Sequence, residues 1–114
     1  MLNKRTTIIL LGVLFSLIFI FSLSAAAQDY EIATIVKITG IPWFNRMEVG
    51  VDEAADELGV NSYQIGPSEA DPAQQVKMVE DLIAKNVDAI TVVPNDATVL
   101  EPVFRKAREN GIVV

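Results

Sequence analysis

Ile35-Val36-Lys37-Ile38-Thr39-Gly40-Ile41-Pro42-Trp43-Phe44-Asn45 is an apolar run that stops at one lysine and turns through glycine and proline, then offers two adjacent aromatics and an amide. It is the junction of a strand and a helix. Upstream, Glu31 to Ile38 carries Ile32, Ile35, Val36 and Ile38 and predicts a first strand. Downstream, Met47, Val51, Ala54 and Leu58 recur at steps of four, three and four, which predicts one buried stripe on a helix from about Trp43 to Leu58. Gly59 ends it with a residue that tolerates the left-handed conformation.

The same unit follows twice more. Asn61 to Ile65 predicts a second strand, and Gly66 to Ala70 a loop. Asp71 is then a plausible N-cap, with Pro72 at the first helical position and Gln74 at capping-box spacing. Val76, Val79 and Ile83 give that helix its apolar stripe, and Asn86 its stop. The third strand runs from about Asp88 to Val93, nearly continuous in apolar residues, as befits a parallel strand covered on both faces. After Pro94-Asn95-Asp96-Ala97, Thr98 and Glu101 repeat the capping-box spacing at the start of a helix buried through Leu100, Val103 and Ala107, where Pro102 costs little if it lies within the first turn. Asn110-Gly111 ends it, and Ile112-Val113-Val114 opens a fourth strand.

Three consecutive strand–helix units require a parallel sheet with right-handed crossovers, so the expected fold is α/β, a doubly wound sheet of strand order 2-1-3-4. In such sheets ligands sit at the carboxyl ends of the strands, where the order reverses. Here that point lies between strands 1 and 3. Lys37 through Asn45 and Pro94 through Asp96 should therefore face one another across a crevice.

Residues 1–27 are set aside from the fold. Lys4 and Arg5 precede an uncharged stretch from Ile8 to Leu23, and Ala25 and Ala27 fit an A-x-A cleavage site before Gln28. That is the three-part layout of a secretory signal peptide. The 16-residue apolar core is shorter than a spanning helix needs, so no membrane insertion is expected once the signal is cleaved. The absence of cysteine excludes disulfides and lipid anchoring at the cleavage point. Without Lys4 and Arg5, seven basic residues stand against fifteen acidic ones over residues 28–114. That surface repels phosphate backbones and argues against nucleic acid as a partner.

No catalytic constellation is visible. With neither His nor Cys, the usual triads, thiolate chemistry and most zinc sites are excluded. No glycine-rich phosphate loop follows a strand, so no nucleotide or other cofactor is expected. Five carboxylates between Glu48 and Glu57 read as a solvated helix face rather than a metal site. The chain is therefore not expected to be an enzyme.

The candidate binding residues are Lys37, Trp43, Phe44, Asn45, Pro94 and Asn95. Aromatic faces suit the C–H faces of a sugar ring, and because Trp43 and Phe44 are adjacent they cannot point the same way, so one should be partly structural. Lys37, at the end of a buried strand, either meets a ligand oxygen or a carboxylate or snorkels to water. Asn45 could bind hydroxyls or cap the helix, and Asn95 and Asp96 could equally be ordinary turn residues.

The segment Tyr30 to Val114 resembles the N-terminal domain of type I periplasmic substrate-binding proteins of ABC transporters, on the strength of Lys37-Ile38-Thr39-Gly40-Ile41-Pro42-Trp43-Phe44, Gly66-Pro67-Ser68, Gln74-Gln75, Val87-Asp88-Ala89-Ile90, Glu101-Pro102-Val103 with Ala107, and Gly111-Ile112-Val113-Val114. The ribose-, rhamnose- and autoinducer-2-binding branch is the most similar. The resemblance implies a periplasmic, two-lobed receptor, monomeric when full length, that closes on a sugar or sugar-like ligand and delivers it to a membrane permease. Residues 28–114 would then be a partial N-terminal lobe, truncated. It implies ligand contact by Lys37, as in the autoinducer-2 type, and a sugar ring sandwiched by Trp43 and Phe44, as in ribose-binding relatives. Those relatives carry asparagine where this chain has Ile41, a departure that points to the rhamnose or autoinducer-2 branch. A chemotaxis or signalling receptor with the same site, and a secreted flavodoxin-like α/β enzyme, are the alternatives.

Overall fold

In the computed structural model, which describes Asn3 and residues 29–114, the chain forms three strand–helix units. These are β1 (Glu31–Ile35), α1 (Pro42–Leu58), β2 (Asn61–Ile65), α2 (Pro72–Lys85), β3 (Ala89–Val92) and α3 (Ala97–Glu109). The expected signal peptide and its cleavage site lie outside the described residues, Asn3 excepted.

The sheet is parallel with order β2-β1-β3. Ile35 lies opposite Ile65 on one side and opposite Val92 on the other, so all three strands end at one edge. Val113 pairs in parallel with Ala89, on the side of β3 that does not face β1, which is the place expected for a fourth strand. Right-handed crossovers in this order send α1 to one face and α2 to the other. The packing agrees: α1 lies against β2, while α2 and α3 lie against each other.

Burial follows from that layering. Ala33, Thr34 and Ile35 of the central strand and Val36 just beyond it are all buried, as both faces are covered. Val79, Leu82 and Ile83 of α2 join Leu100, Val103 and Ala107 of α3 over Ala33, Ile35 and Ile90 in one core. At the opposite edge of the sheet the Tyr63 hydroxyl donates to the Glu31 carboxylate at 2.8 Å. Burial chiefly, then that hydrogen bond and the charge of Glu31, push the Tyr63 phenol up to about 12.

Local signals set most boundaries. Asp71 accepts from the Ala73 N–H as N-cap of α2, and the Gln74 amide donates to the same carboxylate. Gly59 and Asn86 end α1 and α2 in the left-handed region.

Four expectations need correction. β1 ends at Ile35, not Ile38, because the chain turns away to reach the loop after β2. The inward stripe of α1 runs through buried Phe44 and half-buried Met47, Val51 and Ala55, whereas Ala54 and Leu58 are exposed. A helix of 17 residues is roughly 25 Å long against roughly 17 Å for the five-residue β2, so its last turn outruns the sheet and Leu58 is exposed. The N-cap of α3 is Asp96, which accepts from the N–H groups of Thr98 and Val99 and leaves no capping role to Thr98. Pro102 therefore stands beyond the first turn, inside the helix. Finally, Asn45 does not cap α1: Ile41 holds that position without a side-chain bond, and the Asn45 N–H donates to its carbonyl as an ordinary helical residue.

Candidate functional site

Beyond Ile35 and Val92 the paired register of β1 and β3 stops, and the two strands must part to form their loops. Val36 still donates its N–H to Ile65, and Val93 to Ile35, at 2.9 and 2.8 Å. The gap that opens next is spanned by a side chain from α2. Gln75 is fully buried, and its amide nitrogen donates to the carbonyls of both Val36 and Val93 at 3.0 Å. Its amide oxygen accepts from the Asn95 N–H at 2.7 Å. The Asn95 side-chain amide in turn donates to the Lys37 carbonyl at 3.0 Å.

The loop after β2 is tied in on the other side. Thr39 donates to the Pro67 carbonyl through both its N–H and its hydroxyl. Gly66 allows this approach, since a Cβ there would lie 2.6 Å from a methyl of buried Val36. The start of α1 is held from β2, where the Gln64 amide nitrogen donates to the Phe44 carbonyl at 2.9 Å. The buried amide oxygen of Gln64 has no hydrogen-bond partner among the described residues.

These ties assemble the rim. Lys37 is exposed just beyond the strand end and makes no ion pair among the described residues, so its ammonium stands in solvent rather than within the sheet. Trp43 and Phe44 divide as adjacent helical residues must: Trp43 is 77% exposed and Phe44 only 6%. Trp43, Arg46 and Met47, one helical turn of α1, line a shallow hollow. Asn45 is exposed on the same turn, and Pro94 is half-buried beside Asn95. The structure thus brings the loops bearing Lys37 and Asn95 into direct contact. The Asn95 side-chain oxygen accepts from no group among the described residues. No cluster of acidic side chains able to hold a metal ion occurs among them.

Gln75 escaped the sequence reading of the site. The signal was present: stepping back four residues from Val79 along the buried face of α2 reaches Gln75, and a glutamine on an apolar stripe needs buried partners.

The structure thus leaves the Trp43 indole, the Lys37 side chain and the Asn95 loop at the carboxyl edge of the sheet. Residues 32–114 match the family model described as "Periplasmic binding protein domain". The D-ribose/D-allose-binding protein of Pseudomonas aeruginosa is 37% identical over 88 residues, covering 74% of this chain and 27% of the relative. An ABC transporter solute-binding protein from Burkholderia graminis, solved in complex with D-arabinose, superposes with a TM-score of 0.71 at 34% identity, covering 75% of this chain and 29% of that one. One from Clostridium phytofermentas with bound L-rhamnose gives 0.70 at 28% identity, covering 75% and 27%. The chain therefore spans about a quarter of the length of the relatives it matches.

Proposed function

The chain belongs to the periplasmic binding protein domain family, and from that premise we propose that it is the N-terminal part of an exported receptor that captures a monosaccharide or sugar-like signal for an ABC importer. Residues 1–27 act as its secretion signal, and residues 28–114 form part of one lobe. Trp43 stacks on the apolar face of the ring, and Lys37 and the Asn95 side-chain oxygen meet its hydroxyls. Asn45 and Pro94 complete the rim, while Phe44 seats the first turn of α1 from below. The protein performs no chemistry on the ligand.

The observation that carries this reading is the 77% exposure of Trp43 in the first turn of α1, at the carboxyl edge of a parallel sheet, where Gln64 holds the carbonyl of the next residue. An indole left in solvent on the first turn of a helix offers an open stacking surface. Relatives that bind D-ribose or D-allose, D-arabinose and L-rhamnose support a neutral sugar as the ligand class. Ile41, next to the turn, favours a ligand of the rhamnose or autoinducer-2 type within that class.

Trp43 is the sole tryptophan of these 114 residues, so the emission of this chain reports on this site alone. Titration with D-ribose, D-allose, D-arabinose and L-rhamnose should shift that emission to the blue in a saturable way for at least one sugar. Emission unaltered by all four would refute the reading.

A further inference from the structure

Every polar atom of the Gln75 side chain is engaged in holding the loops apart and together at once. Its nitrogen carries two hydrogens, and both are used, on Val36 and Val93, the first residues beyond the paired register of β1 and β3. Two carbonyls, each 3.0 Å from one amide nitrogen and served by its two N–H bonds, cannot move far apart or together without bending or breaking one of those bonds. The oxygen fixes the backbone of Asn95, whose side chain then reaches Lys37. The side chain is fully buried, so no water can replace these partners without the core opening.

We infer that Gln75 is a positioning residue for the binding site: its single buried amide sets the spacing between the loops after β1 and β3, and with it which sugars the crevice accepts. The inference rests on the binding reading above. Gln75 touches no ligand. It acts through Val36, Val93 and Asn95, which carry the rim residues Lys37, Pro94 and Asn95. A side chain that sets a width governs discrimination among ligands, whereas one that only adds stability lowers all affinities together with the melting point.

Two variants separate the parts of the clamp. Gln75→Met keeps the length and removes all three hydrogen bonds. Gln75→Glu keeps the acceptor for the Asn95 N–H and replaces the two-donor nitrogen with an oxygen that donates one hydrogen at most. Asp71→Ala serves as a control, because it removes the cap of the same helix without touching the loops. The readout is Trp43 emission with D-ribose, D-allose, D-arabinose and L-rhamnose, together with amide exchange at Asn95. Gln75→Met should weaken the preferred sugar at least tenfold, compress the ranking among the four, and accelerate exchange at Asn95. Gln75→Glu should alter the ranking while Asn95 stays protected. Asp71→Ala should keep the wild-type ranking even where it melts earlier.

An unchanged ranking in Gln75→Met, or the same change in Asp71→Ala at equal loss of melting temperature, overturns the inference alone. If Gln75→Met does not fold, an unchanged ranking in Gln75→Glu overturns it equally. A wild-type protein that answers to none of the four sugars overturns the binding reading and this inference with it.

Discussion

The side-chain amide of Asn95 donates to the backbone carbonyl of Lys37 at 3.0 Å, across 58 residues of sequence. Nothing in local chain geometry demands that bond. It exists because the order β2-β1-β3 makes neighbours of the first and third strands and lets their loops emerge side by side. The topology thus brings the loops bearing Lys37 and Asn95 together at the carboxyl edge, and the amides of Gln75 and Asn95 then tie those two loops to one another.

Asn95 can therefore be divided by substitution into a staple and a ligand contact. Asn95→Ala removes both, and Asn95→Asp keeps the side-chain oxygen while losing the donor to Lys37. Each should cost about 0.5–1.5 kcal/mol of stability, the net worth of one neutral hydrogen bond. Hydrogen exchange over residues 37–41 should accelerate in both. Weaker sugar binding in Asn95→Ala than in Asn95→Asp would assign the oxygen to the ligand, and equal binding would leave Asn95 as a staple only.

Gly66 is required by space rather than by its backbone angles. A Cβ at this position would lie 2.6 Å from a Val36 methyl and 3.2 Å from the Val36 carbonyl oxygen. Val36 is fully buried and has nowhere to retreat. Gly66→Ala should destabilise by about 1–3 kcal/mol, the usual cost of overpacking, measured by urea unfolding. The double variant with Val36→Ala should be more stable than the sum of the two single effects predicts, because the clash is removed from its other side.

The fold was legible because each unit punctuates itself: Gly59 and Asn86 take the left-handed positions, Asp71 caps, and β-branched runs alternate with helical stripes. What escaped reading depends on neighbours far along the chain. Whether Lys37 lies in a strand or past its end is decided by where Ile65 and Pro67 offer carbonyls to Val36 and Thr39. Two phases were open to α1, and burial of Phe44 selected the one through Ala55. Asp96 outcompeted Thr98 because its carboxylate reaches two N–H groups at once. The rim residues were legible as turn residues after strands 1 and 3, but Gln75, which joins their loops, lies on a helix between them and makes contacts 18 and 39 residues away.

Tyr63 gives the protein a specific alkaline limit. Its phenol is pushed up to about 12 in the folded chain, by burial first and then by Glu31. A tyrosine whose folded pKa exceeds its unfolded value, near 10, contributes stability that is complete below about pH 10 and lost as pH rises through 12. Thermal melts of the wild type should fall over that window, and those of Tyr63→Phe should fall less. In a Tyr30→Phe background Tyr63 is the sole tyrosine of these 114 residues, so phenolate absorbance of this chain should report its ionisation at about 12 directly.

Trp43 is the one large side chain whose loss should separate binding from folding. It is 77% exposed, so Trp43→Ala removes little buried area, and the melting curve should move by no more than about 0.5 kcal/mol in stability. A ligand stacked on the indole would bury that same surface anew, so the substitution should weaken sugar binding by about 1–3 kcal/mol, roughly fivefold to 150-fold. Calorimetry is the appropriate measurement, since the variant has no tryptophan emission. Trp43→Phe should recover part of the loss, because a smaller ring still offers an aromatic face, whereas Trp43→Leu should recover less at similar hydrophobicity. Phe44→Ala should behave in the opposite sense: the side chain is buried, so stability should fall by about 3–5 kcal/mol and binding should suffer through misplacement of the first turn of α1. Equal stability losses at the two positions would contradict the division of labour that the exposed indole and the buried phenyl express.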